Sequence, residues 1–294
     1  MQNFLYNDHV SMFMIRLSKL PGYVQFETNT YCDQKCIFCT HGEIPTRKMS
    51  NEMIKQIIDE TIPTAHTCCP FWFQDPFLES RLQTILRYIK QVNPWCKTVL
   101  YSTMTHATPD KMRKLIEDNT LDELYVSMYS QRTQPGVDME KATSNIEQLF
   151  EMKDELLTKS PKIIMMMIAD IHTEEEIEQW YKKWGWRTET MVVPLDTLGG
   201  KKQFECRTRG PNTDKSKRTP CEMLWNSVNI NADGDVMPCC VAFEKKNSFG
   251  NINDGKILDI LNSERAIKMR EDHINGKFDN YDICRECSKW EWSR

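Results

Sequence analysis

The sequence predicts an α/β protein built on a parallel sheet, and three observations carry that expectation. From residue 23 to about 193, short strand-like runs alternate with amphipathic stretches of helical period. The most reactive residue types cluster just past the ends of those runs, where α/β sheets keep their chemistry. The 40% hydrophobic content of the 294 residues is enough for a substantial core.

Strands are expected over 23–28, 68–73, 98–102, 123–128, 162–169 and 190–193. Between them, Ser50 opens a helix whose apolar face is Met53, Ile54, Ile57 and Ile58. Leu82, Ile85, Leu86 and Ile89 repeat the pattern over 81–91. Thr108-Pro109-Asp110 is an N-cap with proline at the first helical position, leading into Met112, Leu115 and Ile116. Residues 138–157 and 173–183 supply two more helices. Met165-Met166-Met167 reads as buried strand packing, since thioethers fill irregular gaps; the alternate face is left to the sheet interior. Trp180–Trp184, Trp186 and Trp290–Glu291–Trp292 read first as core and edge packing.

Composition excludes several classes. A net charge of −4 offers no basic field for nucleic acid. The apolar run over 10–17 is too short to span a membrane, carries Arg16 and lacks a small-residue cleavage site, so no membrane partner and a cytoplasmic location are expected. Twelve cysteines without a secretory signal point to metal rather than disulfides. Cys68, Cys69, Cys96 and Cys206 have no neighbour at ligand spacing and read as ordinary thiols.

Two constellations remain. Cys32, Cys36 and Cys39 are spaced C-x-x-x-C-x-x-C directly after the first strand. Three thiolates in one tight loop suit three irons of a [4Fe–4S] cubane and leave the fourth open to a small molecule. Structural zinc prefers paired C-x-x-C units and four ligands. The second constellation begins at Cys221. Val228–Ile230 and Val236–Met237 flank Asn231-Ala232-Asp233-Gly234-Asp235, a hairpin signal that folds Cys239 back towards Cys221. One helix is expected over 257–271, and Cys284 and Cys287 close the set. Four thiolates from separate segments fit either a [4Fe–4S] cluster or zinc, and spacing does not choose between them.

With the aromatic Phe38 before the third cysteine and a strand upstream, the first motif resembles the radical SAM superfamily. The resemblance implies an open partial (β/α)6 TIM barrel. It also implies an iron that chelates S-adenosyl-L-methionine, whose reductive cleavage gives a 5′-deoxyadenosyl radical that abstracts hydrogen. It implies a reductant such as flavodoxin or ferredoxin. It places Phe38, Gln74, Asp75, Ser102, Ser127 and Arg132 near the cofactor. Trp72-Phe73-Gln74-Asp75-Pro76 stands where the family has Gly-Gly-Glu-Pro, a departure at both glycines and at the acid. Cys221, Gly234 and Cys239, separated by twelve and four residues, resemble the opening of a SPASM/twitch domain, a small α+β appendage. With only C-x-x-C downstream, one auxiliary [4Fe–4S] cluster is expected on Cys221, Cys239, Cys284 and Cys287.

These resemblances divide the chain into an extension (1–20), a barrel (21–200), a basic linker or flap (201–220) and a cluster domain (221–294). The flap carries Lys215, Lys217 and Arg218, cations for an anionic substrate if it is not simply a solvated linker. Cys240 is either a packed thiol beside the cluster or a hydrogen-atom donor to a substrate radical, as in epimerases of the superfamily. The expected reaction is dehydrogenation or epimerisation of a small polyol, aminocyclitol or sugar-like molecule. Modification of a ribosomal peptide and a non-catalytic zinc-binding interaction protein are the alternatives.

Overall fold

A computed structural model describes residues 15–40, 44–195, 218–285 and 287. The basic stretch from Lys201 to Lys217, Cys206, Trp290 and Trp292 lie outside them.

One nine-stranded sheet organises the molecule, in the order β6-β5-β4-β3-β2-β1-β7-β8-β9. Strands β1 (Tyr23–Phe26), β2 (Thr67–Cys69), β3 (Lys97–Ser102), β4 (Glu123–Val126), β5 (Lys162–Ile168) and β6 (Glu189–Val193) are all parallel. Helices α1 (Asn51–Thr61), α2 (Leu82–Val92), α3 (Pro109–Glu117), α4 (Met139–Glu155) and α5 (Glu174–Trp184) make the crossovers. Strands β1, β2, β4 and β5 end one to four residues earlier than expected, because the chain there turns into the loops of the site, while β3 and β6 end where expected.

Helices α1, α4 and α5 start where a side chain satisfies the first amides. Ser50 accepts from the Met53 amide at 3.1 Å, Asp138 from Lys141 at 2.9 Å, and Thr173 and Glu176 form a reciprocal capping box. Thr108 makes no side-chain cap; Pro109, whose missing N–H would be unpaired there anyway, takes the first turn. The apolar faces then pack on alternate residues of the strands. Val24 and Phe26 meet Ile54, Ile57 and Ile58, while Leu100, Leu124, Val126, Met165 and Met167 join Met112, Leu115, Ile146 and Leu149. Met166, between two buried neighbours, is half-buried on the opposite face, which lines the inside of the sheet.

The C-terminal segment is built onto the same sheet. Strand β7 (Ser227–Ile230) runs parallel to β1, with Tyr23 opposite Ser227 and Phe26 opposite Ile230. Strands β8 (Asp235–Met237) and β9 (Gly250–Asn251) continue antiparallel. Gly234 turns the expected hairpin at φ +84°, and a side chain there would run into Met53 and Ile252.

The single helix expected over 257–271 is two, α7 (Ile257–Leu261) and α8 (Glu264–Ile274), after the short α6 (Met223–Asn226). The break falls where Ser263 caps α8 by accepting from Ala266 and Asn262 exchanges hydrogen bonds with the Leu17 backbone at 2.8 Å each. Both residues prefer such local bonds to helix interiors.

Helix α1 ties the two halves together. Gln56 donates to the Ile252 carbonyl at 3.0 Å, Glu60 accepts from the Ile257 amide at 2.8 Å, and Ile57 is wholly buried in a core shared with Val228, Ile252 and Ile260. Ile57→Ala should therefore cost about 2–5 kcal/mol. It should lower the urea midpoint of barrel and C-terminal probes together; a loss confined to one half would contradict the shared core.

Candidate active site

The first cysteine loop leaves β1 and returns to it. Thr30 donates to Arg47 carbonyl oxygen at 3.0 Å, Met49 to that of Thr28 at 2.9 Å, and the Thr30 hydroxyl bridges Pro45 and Arg47. Arg81 closes the base, donating to the Met49 and Thr28 carbonyls while paired with Glu79 at 2.8 Å. Burial works against the Glu79 charge, but Arg81 and Asn29 outweigh it and hold the carboxyl at about 2.

The tip of the loop is held from the side. Lys35 and Ile37 amides donate to Pro135 and Thr133 carbonyls at 2.8 and 3.1 Å, and the Cys39 amide folds back onto Cys36 at 3.1 Å. Gly136, at φ +89°, lets the 133–137 segment lie against Asp33 and Gln34.

Cys32, Cys36 and Cys39 are half-buried and close together: Cys39 raises the proton affinity of Cys32, and Cys39 and Cys32 raise that of Cys36. Burial first, then the neighbouring thiols, push Cys36 up to about 12, and burial pushes Cys32 to about 11. Ligation must displace those protons. The Gln34 and Asp75 amides hydrogen-bond the Cys32 sulfur, and Gln134 that of Cys36, contacts that favour the thiolate. Among the described residues, no three His, Cys, Asp or Glu side chains are gathered tightly enough to hold a metal ion as they stand. The soft donor set itself fits a thiolate-ligated cluster.

Around this loop the expected cofactor residues take distinct places. Asp75, buried, accepts at one oxygen from Ser102 Oγ (2.8 Å), Thr103 N (3.1 Å) and Thr103 Oγ1 (3.2 Å), and at the other from Phe77 N (3.0 Å). Burial raises its pKa against those bonds. Ser102 in turn accepts from Met104 at 2.9 Å. Gln34 reaches the same knot, donating to Thr103 at 2.6 Å. Gln74 accepts from Trp72 and donates to Thr28. Asp75, Ser102, Gln34 and Gln74 tie the ends of β2 and β3 to the cysteine loop. Ser127 hydrogen-bonds the Tyr129 phenol, and its carbonyl accepts from Gln134 at 2.6 Å. Phe38 packs on Tyr129, centroids 5.7 Å apart, beside Ile168, Ile171 and Leu195. Arg132 is turned outward, paired with Glu176 at 2.8 Å and donating to the Ile171 carbonyl at 2.8 Å.

Sequence reasoning missed Gln134, Tyr129, His172 and Glu27. His172 is buried, with Nδ1 2.6 Å from the Ile168 carbonyl and Nε2 3.2 Å from Thr133; burial lowers its pKa. Glu27, five residues before Cys32, is 3% exposed. Its Oε2 accepts from Ala232 N at 3.2 Å, and its Oε1 has no partner. It borders a small enclosed hollow with Arg47, Phe73 and Phe243.

The second set is electrostatically joined as well. Cys239 feels Cys221 and Cys284, and Cys284 feels Cys287 and Cys221. Arg218, expected as a flap cation, lies instead close enough to Cys221 and Cys284 to favour their thiolates. Cys240 lies beside Cys239, whose proton affinity it raises more than Cys221 or Cys284 does; its thiol also acts on Tyr23 and Tyr101, and its carbonyl accepts from Trp72 Nε1.

Comparison with known proteins agrees with this layout. Residues 221–288 match the SPASM family, an iron–sulfur cluster-binding domain. Over 278 residues the chain is 19% identical to the S-adenosyl-L-methionine-dependent 2-deoxy-scyllo-inosamine dehydrogenase of Niallia circulans, covering 92% of this chain and 94% of that one. Its fold resembles BtrN crystallised with AdoMet and 2-DOIA (TM-score 0.62, 16% identity, 92% of this chain and 94% of that chain). It also resembles Streptococcus suis SuiB bound to the precursor peptide SuiA (TM-score 0.68, 14% identity, 92% and 73%).

Glu27 gives a pH signature. Burial raises its pKa from 4.5 to about 7. The folded chain then holds a proton that the unfolded chain releases, so stability falls as pH rises between those values and stays lower above them. At about 1.4 kcal/mol per pH unit the interval is worth at most about 3 kcal/mol. Glu27→Gln should remove that slope and gain stability over wild type as pH rises. Parallel urea-midpoint profiles for the two proteins would refute it.

Proposed function

We propose that this chain, a radical SAM protein carrying a SPASM domain, dehydrogenates a small polyol, aminocyclitol or sugar-like substrate. The observation that carries the reading is the end-to-end match, in both directions, to a SAM-dependent aminocyclitol dehydrogenase. Cys32, Cys36 and Cys39 hold the radical SAM [4Fe–4S] cluster, and Cys221, Cys239, Cys284 and Cys287 hold one auxiliary cluster. When bound, S-adenosylmethionine and the first cluster supply a 5′-deoxyadenosyl radical that takes hydrogen from an otherwise unreactive C–H bond.

The chain's own residues place and enclose that chemistry. The backbone of residues 72–75, held by the Gln74 and Asp75 side chains, offers carbonyl and amide groups beside Cys32. Ser102 and Ser127 stand at neighbouring strand ends, and Phe38 with Tyr129 forms an apolar wall that excludes water. Arg132 steadies the wall from outside through Glu176, a supporting place in the site.

Cys240 decides between two outcomes. Its thiol is aimed at the inside of the sheet, towards Tyr23 and Tyr101, where it could return a hydrogen atom to a substrate radical and invert the centre. Without that return, a substrate radical would give a ketone by losing one electron and the hydroxyl proton, and a cluster held by Cys221, Cys239, Cys284 and Cys287 would supply the electron acceptor. Peptide modification is the second reading, favoured by the fold likeness to SuiB with its precursor peptide.

The test is an anaerobic assay with dithionite, S-adenosylmethionine and candidate aminocyclitols in D₂O, on wild type and Cys240→Ala. A product two hydrogens lighter, formed by both proteins, is the expected result. A product one deuterium heavier, lost in Cys240→Ala while 5′-deoxyadenosine persists, would make the reaction an epimerisation. Turnover of a peptide but of no aminocyclitol would move the assignment to the second reading.

A further inference from the structure

Three buried N–H groups beside Cys221 and the short helix α6 have no acceptor in the protein. Arg270, on α8, is wholly buried. Its Nε donates to the Leu224 carbonyl at 2.8 Å and its Nη1 to that of Ile15 at 3.1 Å, while Nη2 has no partner. Among the described residues no Asp or Glu forms an ion pair with it. One turn further on, His273 is 1% exposed and takes the Cys221 amide on Nδ1 at 3.3 Å. The accepting nitrogen carries no hydrogen, so the hydrogen is on Nε2, which also has no partner. Arg218 is the third. Its guanidinium lies 4.3 Å over the Phe278 ring, which meets His273 edge-on at 5.0 Å, and its buried Nε is unaccepted.

A buried guanidinium without an anion is unfavourable, and so is each unaccepted buried N–H. Here three such groups, from two separate segments, gather around Cys221 and the short helix α6 that follows it. Arg218 acts directly on Cys221 and Cys284, His273 holds the Cys221 amide and Arg270 joins them through Leu224, so an acceptor-rich anion held by these cysteines would complement the group. A cubane on four thiolates has that character: its sulfide and thiolate sulfurs accept N–H bonds, its net charge is negative, and reduction adds another negative charge.

We propose that Arg218, Arg270 and His273 form an N–H cradle around the auxiliary cluster that raises its reduction potential and so makes it an effective electron acceptor. The inference rests on the reading of Cys221, Cys239, Cys284 and Cys287 as ligands of a [4Fe–4S] cluster. All three are positioning residues: they act on the cluster and touch no substrate. Hydrogen bonds to cluster sulfurs and nearby positive charge are the levers by which a protein sets such a potential.

The experiment is an EPR-monitored redox titration of the anaerobically purified full chain, comparing wild type with Arg270→Gln and Arg218→Gln, with iron and sulfide quantified in each. The cradle predicts full iron content in both variants and an unmoved potential for the Cys32/Cys36/Cys39 cluster. The auxiliary cluster should shift negative by at least tenfold in its reduction equilibrium, about 59 mV for one electron. Arg218 is the less buried of the two, so Arg218→Gln decides the matter if Arg270→Gln fails to fold. An unchanged auxiliary potential with iron intact would overturn the cradle alone. Zinc in place of iron at Cys221 would overturn the cradle and the auxiliary-cluster reading together.

Discussion

Strand β1 is the element on which both cysteine groups depend. It pairs in parallel with β2 on one side and β7 on the other, so its four residues carry backbone hydrogen bonds from both edges. The first cysteine loop springs from its C-terminal end. The hairpin that leads to Cys239 is pinned to its other side, and Glu27 continues the pairing by donating to the Ile230 carbonyl at 2.9 Å. A parallel pair needs its crossover elsewhere, which leaves the whole barrel to be made between the two strands. The distance between the two cysteine sets is therefore fixed by sheet geometry and does not rely on a flexible linker.

The hydrogen-bond economy of the first site separates scaffolding from exposed chemistry. Asp75 accepts four bonds from Ser102, Thr103 and Phe77, which leaves its carboxylate little capacity for a ligand. Where a Gly-Gly-Glu-Pro segment would present bare backbone, this chain has Phe73-Gln74-Asp75-Pro76, and the two polar side chains are turned back to hold that backbone in place. Gln134 does the same for the cysteine loop: it accepts from Tyr129, donates to Ser127 and reaches the Cys36 sulfur. Such saturated knots keep neighbouring groups from drifting.

Much of this was legible in the sequence because it is local. Period-3.6 faces, caps at Ser50 and Asp138, and the Asp-Gly turn each depend on residues within a turn or two of one another. The pairing of β1 with β7 was not legible, because it joins segments about two hundred residues apart and leaves no local pattern. Nor was the break at Asn262-Ser263, where a contact with Leu17 and a cap prevailed over continuous helical periodicity. Among the site residues the cysteines could be read from spacing. Arg132 could not be placed, since only the fold reveals that Glu176 waits for it on the capped end of α5. Glu27 and Arg270 look like ordinary surface charges in the sequence; burial alone makes them conspicuous.

Cys239 and Cys240 show how the two sites are brought into register. Cys239 and Cys240 follow β8 in a turn, and their thiols lie close enough for Cys240 to raise the proton affinity of Cys239. The Cys239 thiol lies among Cys221 and Cys284, on the side of the auxiliary set. The Cys240 thiol lies towards Tyr23 and Tyr101, inside the sheet. The peptide that follows Cys240 is anchored by Trp72, whose Nε1 donates to the Cys240 carbonyl, one residue from the Phe73–Asp75 backbone that approaches Cys32. A single dipeptide thus connects a candidate electron acceptor with a candidate hydrogen donor. The Trp72 anchor joins the turn that carries both cysteines to the backbone beside the first cysteine loop.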